Sequence, residues 1–106
     1  MDKTYLPLGS VVVLKGSTKK MMIISRAMAT QLDQGMVYFD YGACLFPEGL
    51  LGDKVFYFNQ EDILQTIHEG FVNEDEKLMQ ENIRSAVAQS KIARGDFQTI
   101  KKNENK

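Results

Sequence analysis

The chain has 106 residues, of which 43% are hydrophobic and 25% are charged, and its net charge is −1. This length accommodates one domain with a single modest core, and the near-neutral charge argues against a protein that attracts nucleic acid through a basic field. The lone cysteine, Cys44, excludes an intramolecular disulfide, and no apolar run approaches the roughly 20 residues that a membrane-spanning helix needs.

The first half of the chain predicts a small antiparallel sheet of about four strands within residues 8–58. Two apolar, β-branched runs flank the polar segment 16–19, a pattern typical of a β-hairpin. Residues 1–5 look like a loose lead-in, and residues 28–35 look like a connection that ends in a turn. We expect the four strands at Ser10–Leu14, Lys20–Ala27, Met36–Tyr41 and Val55–Phe58.

Two helices are predicted to follow the sheet. A short helix over about residues 60–69 begins at Asn59, a favourable N-cap. A long C-terminal helix over about residues 74–94 begins with a capping-box-like pattern at Asn73 and ends before Gly95.

The predicted fold class is therefore α+β. A single domain covers residues 1–95, in which the small antiparallel sheet is followed by the short helix, stopped by Gly70, and by the long C-terminal helix. The polar residues 96–106 are predicted to be a flexible tail.

No residue pattern predicts a catalytic, cofactor-binding or metal site, so we expect a protein that is not an enzyme. His68 has no second histidine or cysteine cluster with which to bind a metal, and Cys44 has no base beside it in the sequence. Arg26 ends an apolar strand, where it could bind a partner's carboxylate, form an internal ion pair or lay its aliphatic stem along the rim of the core. Aromatic strand residues could stack on nucleic acid, but the neutral charge speaks against that partner. These residues are Tyr38, Phe39, Tyr41 and Tyr57.

The long helix is the first candidate for a partner-binding surface. Its apolar stripe, which includes Met79, Ile83 and Val87, is narrow for a helix of this length. Because helices depend on packing for their stability, such a helix either covers the sheet or docks on another chain. The exposed face of the sheet is the alternative to the helix. Leu50 and Leu51, in a loop, form another candidate, either as a partner contact or as a flap on the core.

Several segments, taken in order, resemble one protein family. They are Leu6-Pro7-Leu8-Gly9-Ser10-Val11-Val12, Lys15-Gly16, the run from Lys20 to Arg26, the run from Asp40 to Gly49 and the run from Phe58 to Ile63. Over about residues 5–72 the chain is similar to a small domain-of-unknown-function family encoded in Gram-positive type VII (Esx/WXG100) secretion loci beside LXG polymorphic toxins. The chain has no tryptophan, so it is not itself a WXG100-type helical hairpin.

The resemblance implies an accessory role in type VII secretion. On this interpretation the protein is a non-enzymatic, chaperone-like adaptor that needs no cofactor. It would bind the helical N-terminal LXG targeting region of an effector toxin, together with a small WXG100-like protein, and aid the toxin's export. The N-terminus does not resemble a secretory signal, so we expect a cytoplasmic protein that leaves the cell, if at all, with its toxin.

Two alternative functions stay open. An immunity-type protein would bind the toxin domain in the C-terminal half of the toxin instead of the N-terminal targeting region. A small enzyme or ligand-binding domain would show a deep polar pocket around Arg26 or Cys44, whereas a shallow surface there would count against it.

Overall fold

The structure, a computed structural model, describes residues 4–33 and 35–96. These residues form six β-strands, one 3₁₀ turn at Gln60–Asp62 and one α-helix. In chain order the elements are β1 (Val11–Leu14), β2 (Lys20–Leu32), β3 (Gly35–Phe46), β4 (Phe56–Phe58), β5 (Ile63–His68), α1 (Glu74–Gln89) and β6 (Ala93–Arg94).

The sheet follows the order β4-β3-β2-β1-β5 with antiparallel neighbours, and β6 adds to β3 as a parallel strand. β4 and β5 lie at opposite edges of this path, yet only the chain from Phe58 to Ile63 separates them. Five residues reach at most about 18 Å when fully extended, whereas the edges of a flat five-strand sheet would lie about 19 Å apart. Because a 3₁₀ turn is shorter still, the sheet curls and brings its two edges towards each other.

The main hydrophobic core combines strand residues with Tyr5 from the N-terminal segment and Ile83 from α1. The Tyr41 ring occupies its centre, 6.0 Å from the Tyr5 ring and 5.7 Å from the Phe58 ring. Burial of each large apolar side chain contributes about 1.5–3 kcal/mol, so Ile83 is an important attachment of the helix to the sheet. The other buried members of the core are Val12, Leu14, Met21, Ile23 and Ala43.

β5 forms an irregular edge of the sheet. Its pairing with β1 skips Leu64 and Ile67, so each of these residues is the extra residue of a bulge. Both side chains are exposed. Among the described residues, β5 pairs with β1 and with no other strand.

The predicted α+β fold, with four strands, a short helix and a long C-terminal helix, is wrong. Where a helix was predicted over residues 60–69, a single 3₁₀ turn leads into β5. β1 carries backbone N–H and C=O groups along both of its edges. β2 pairs with one edge, and Ile63–His68 pairs with the other edge as a strand. This tertiary requirement overrides the helix-start signal at Asn59.

The long C-terminal helix is shorter than predicted. Asn73 does cap α1, because its side chain accepts a hydrogen bond from the Glu76 N–H (3.0 Å). However, α1 ends at Gln89, and the chain becomes extended at Ser90 and pairs with β3 through Ala93–Arg94. Ala93 and Arg94, which were predicted to form the end of the helix, therefore belong to the sheet.

The two ends of the sheet region also differ from expectation. Tyr5, assigned to a loose lead-in, is buried, and the predicted connection over residues 28–35 mostly continues β2 as far as Leu32. The predicted tail, residues 96–106, lies outside the described residues apart from Asp96.

Candidate functional site

The segment that connects β5 to α1 passes beside the residues that precede β1. The backbone N–H of Gly70 donates a hydrogen bond to Ser10 Oγ (2.9 Å), and the Ser10 hydroxyl donates to the Pro7 carbonyl (2.8 Å). Gly70 lies so close to Leu8 that a Cβ at this position would collide with the Leu8 carbonyl oxygen. This close approach holds Phe71 beside Leu8 on the same side of the molecule.

Arg26 and Glu76 form a buried ion pair at the start of α1, with side chains that are 3% and 11% exposed. The Arg26 guanidinium donates to Glu76 and also to the Leu6 carbonyl (3.4 Å). Gln80 donates to the same Glu76 carboxylate (2.7 Å) and hydrogen-bonds both backbone groups of Tyr5. We refer to Tyr5, Arg26, Glu76 and Gln80 as the N-terminal anchor.

The charges within the N-terminal anchor cancel. Burial acts to raise the pKa of Glu76, but the hydrogen bonds from Arg26 and Gln80 and the guanidinium charge outweigh it. The pKa of Glu76 is therefore lowered from its ordinary 4.5, and the carboxylate is ionised at neutral pH. It neutralises Arg26, whose charge is then not free to bind a carboxylate of a partner.

An open groove of about 440 Å³ lies beside this ion pair. Its apolar side chains are well exposed: Phe71 is 78% exposed, Leu8 48% and Met79 47%. We refer to it as the apolar groove; its lining consists of Leu8, Arg26, Phe71, Asn73, Asp75, Glu76 and Met79. Exposed apolar side chains that gather at one groove with a polar rim are typical of a binding surface.

A second polar cluster holds the chain beyond α1, and we refer to Asp40, Asn59, Glu61, Arg94 and Gly95 as the C-terminal anchor. Arg94 donates to the fully buried Asp40 (2.6 Å) and to Glu61 (2.6 Å and 2.8 Å). The Asn59 side chain accepts from the Asp40 N–H (3.0 Å) and donates to the Gly95 carbonyl (2.9 Å). The hydrogen bond to Glu61, followed by that to Asp40, raises the pKa of Arg94 although burial opposes the shift.

Tyr41, in the core, hydrogen-bonds one residue next to the N-terminal anchor and one next to the C-terminal anchor. Its hydroxyl accepts a hydrogen bond from the Leu6 N–H (2.9 Å) and donates one to Gln60 (2.5 Å). Burial is the main cause that raises the pKa of Tyr41 to about 12. The phenol is therefore neutral at physiological pH and has a structural place in the fold.

The five residues predicted to bind a partner fall in three places. Met79 lines the apolar groove, whereas Ile83 is only 7% exposed in the core and Val87 packs against the same core. Leu50 and Leu51 are both exposed, in the loop between β3 and β4, and neither lines the groove. Of the five residues, Met79 alone lines the groove, together with Leu8 and Phe71, which were not predicted to bind a partner.

The residues weighed as chemical sites are also located. Arg26 forms the internal ion pair, one of its three predicted alternatives. Cys44 is buried in β3, and His68 is exposed at the end of β5. Within residues 4–33 and 35–96, no three histidine, cysteine or carboxylate side chains come together where they could share a metal ion.

Sequence reasoning missed Leu8, Phe71 and Asp75 as members of the site. Leu8 falls within residues 8–58, which were predicted to form the sheet, and Phe71 follows Gly70, which was predicted to stop the short helix. These residues come from separate segments that Gly70 brings together. A phenylalanine next to a glycine, outside any strand or helix, is the signal that could have identified the groove.

Residues 5–79, well over half of the chain, match the family described as a domain of unknown function (DUF4176). All residues that line the apolar groove lie within this match. Neither a curated protein nor a solved structure matches the chain. Among the described residues, no helix has both the length and the apolar character that crossing a membrane requires.

Proposed function

We propose that this chain, which belongs to the DUF4176 family, is a non-enzymatic adaptor that binds another protein through the apolar groove. The carrying observation is the gathering of Leu8, Phe71 and Met79, all exposed, beside an ion pair that is already neutralised. Side chains of this kind gain free energy only when a partner covers them, because water otherwise contacts their apolar surface.

We further propose that the partner is the N-terminal LXG targeting region of an effector toxin, bound together with a small WXG100-like protein to aid export through type VII secretion. The resemblance of the segments between residues 5 and 72 supports this partner. The open shape of the groove and the pairing of Arg26 with Glu76 speak against the alternative of a small ligand-binding domain.

The test is co-expression with the N-terminal LXG region of the toxin encoded next to this protein, followed by size-exclusion chromatography. The wild-type chain is expected to co-elute with the LXG region. Phe71→Asp and Met79→Asp are expected to abolish co-elution, because a carboxylate would be desolvated in the interface. Leu78→Asp is the matched control, since Leu78 is the next residue along α1, is 60% exposed and does not line the groove.

Two further arms distinguish other surfaces and partners. If Leu50→Asp with Leu51→Asp abolishes co-elution and the groove variants do not, the binding surface is the loop between β3 and β4. Retention of the C-terminal toxin half, instead of the LXG region, would identify an immunity-type protein. Retention of neither half would contradict both functions.

A further inference from the structure

Residues 5–8 precede β1 and belong to no strand or helix, and we refer to them as the strap. Tyr5 is nevertheless only 3% exposed. Side chains of other elements hold the strap backbone: the Leu6 N–H donates to the Tyr41 hydroxyl (2.9 Å), and both backbone groups of Tyr5 bind the Gln80 amide (2.8 Å and 2.6 Å). The strap is therefore bound between β3 on one side and α1 on the other.

The attachment of α1 to the rest of the molecule depends on the strap. Of the 16 residues of α1, only Gln80 and Ile83 are buried. Gln80 hydrogen-bonds Tyr5, and Ile83 packs in the core cluster that contains the Tyr5 ring. Glu76 binds Arg26, which also donates to a strap carbonyl (3.4 Å). Each of these contacts thus involves the strap or a side chain that binds it.

The strap and α1 bury few apolar side chains. Each contributes one buried residue to the main hydrophobic core, Tyr5 and Ile83, whereas β2 and β3 together contribute four. A helix of about this length is marginal in water when it stands alone, and a buried ion pair adds little net stability. Because parts of a protein with few buried apolar contacts open at a lower free energy than its core, the strap and α1 should open before the sheet unfolds.

The boundary between the strap and the sheet lies at Gly9. This residue has a φ of +87°, and its N–H donates to the Ile23 carbonyl (2.9 Å). The Ile23 N–H in turn donates to the Ser10 carbonyl (2.8 Å), so hydrogen bonding to β2 begins at Gly9 and the strap can leave without breaking it. The segments that flank α1 are held on the sheet by the hydrogen bond of Gly70 to Ser10 and by the pairing of β6 with β3.

The apolar groove is assembled from these separate parts. Leu8 belongs to the strap, Asp75 and Met79 belong to α1, and Arg26 belongs to β2. Movement of the strap or of α1 away from the sheet would separate the walls of the groove.

We infer that the strap and α1 open and close as one unit that hinges at Gly9, and that the apolar groove exists only while this unit is closed. The second part of the inference rests on the proposed function, since it makes partner binding depend on closure. A partner that binds the closed form alone stabilises the whole unit, including residues that it does not contact.

The first test is native-state hydrogen exchange of the full chain, measured by NMR at a pH where exchange reports the opening equilibrium. The amides of Leu6 and Ile83 are expected to share one opening constant and to be at least about tenfold less protected than the amide of Ile23 in the sheet. Protection of Ile83 equal to that of Ile23 would mean that α1 opens only with global unfolding, and would overturn the inference.

The second test perturbs the unit from α1 and measures the strap. Gln80→Ala removes two hydrogen bonds to Tyr5 and is expected to raise the exchange rate of the Leu6 amide by about tenfold or more, although the acceptor of that amide is Tyr41. Gln89→Ala is the matched control, because Gln89 is exposed at the end of the same helix. Equal exchange rates of Leu6 in the two variants would contradict a single unit.

The third test perturbs the unit from the sheet and measures α1. Tyr41→Phe leaves the buried Leu6 N–H without its acceptor and is expected to raise the exchange rate of the Ile83 amide by about fivefold or more. An unchanged rate at Ile83 would show that α1 does not follow the strap.

The fourth test adds the LXG region at a saturating concentration. Protection of the Leu6 and Ile83 amides is expected to rise by the same factor, and Ile83, which is 7% exposed, does not line the groove. Added protection that is confined to residues 71–79 would contradict the coupling of binding to closure.

The outcomes separate the two proposals. Failure of the wild-type chain to bind the LXG region contradicts the proposed function and the coupling to binding, whereas the exchange of the free chain still decides whether the unit opens as one. Different opening constants of Leu6 and Ile83 in a chain that binds the LXG region contradict this inference alone.

Discussion

The two ends of α1 are held by the same kinds of group, yet they leave different surfaces behind. The N-terminal anchor buries both Arg26 and Glu76 and leaves apolar side chains exposed around them. The C-terminal anchor buries Asp40 completely, but its arginine is 35% exposed and also binds an exposed glutamate. The first end therefore presents an apolar surface, and the second presents a charged one.

Because of this difference, substitutions at the two anchors should affect partner binding and the free energy of unfolding differently. A buried ion pair with no exposed charge lets the neighbouring surface be desolvated without separating charges. An exposed, shared arginine would have to lose water before a partner could cover it. We therefore expect changes at the C-terminal anchor to alter stability alone, whereas changes at the N-terminal anchor alter stability and partner binding.

The largest effect is expected at the C-terminal anchor. Asp40→Ala should lower the free energy of unfolding by about 3–5 kcal/mol, because it leaves Arg94 without its buried partner and the Gln60 N–H without its acceptor. Urea denaturation measures the change, and Glu61→Ala is the control with an expected loss below about 1 kcal/mol. Equal losses in the two variants would show that burial of Asp40 is not the cause.

Two glycines provide the next comparison. A Cβ at Gly70 would meet the Leu8 carbonyl, and a Cβ at Gly95 would meet the ring of the buried Phe39. Each substitution to alanine should therefore cost about 2–3 kcal/mol of unfolding free energy in thermal or urea denaturation.

The glycine variants are expected to differ in binding. Gly70→Ala displaces Leu8 and Phe71 and should weaken co-elution with the LXG region, whereas Gly95→Ala should leave it unchanged at a temperature where both variants are folded. Weakened binding in Gly95→Ala would remove the distinction between the two ends of α1.

A smaller effect is expected for Glu76→Gln, which should cost about 1–2 kcal/mol at pH 7, because the amide oxygen can still accept the hydrogen bond but no longer carries the negative charge that neutralises the buried Arg26. The pKa of Glu76 is lower in the folded chain than its ordinary 4.5, so its stabilisation is complete above pH 4.5 and is lost as pH falls through the folded-state pKa. The stability difference between the wild type and Glu76→Gln should therefore shrink below pH 4.5. A difference that stays constant from pH 7 to pH 3 in urea denaturation would contradict this role of Glu76.

The smallest effect on stability is expected for Phe71→Ala. Because the side chain is 78% exposed, its loss should change the unfolding free energy by less than about 0.5 kcal/mol. The same variant should nevertheless weaken binding to the LXG region in calorimetry. A large loss of stability would mean that Phe71 belongs to the core and not to a binding surface.

The parts of the fold that could be predicted from the sequence are local. The first hairpin and the Asn73 cap depend on residues within a few positions of one another, and both are present. β5 could not be predicted, because it forms where β1 needs a second neighbour, and the paired residues of β1 lie 49 to 57 positions earlier in the chain. Gly95 was predicted to end the long helix. In the structure a glycine is needed there because the Phe39 ring leaves no room for a side chain.

The candidate site could be predicted only in part, for the same reason. Met79 lines the groove and belongs to a helical stripe that is visible in the sequence, whereas Ile83 of the same stripe is buried in the core. Leu8 and Phe71 reach the groove because Gly70 and Ser10 join two distant segments by hydrogen bonding and close packing. No periodic pattern encodes such a meeting of loops.

The bulges at Leu64 and Ile67 have a consequence for how this protein can associate. A regular edge strand offers alternating N–H and C=O groups on which another chain can build a further strand. Two bulges within six residues break that spacing and increase the local twist, so β5 is a poor template for strand addition or for edge-to-edge aggregation. Association through side chains on α1 and its flanks is therefore favoured over extension of the sheet.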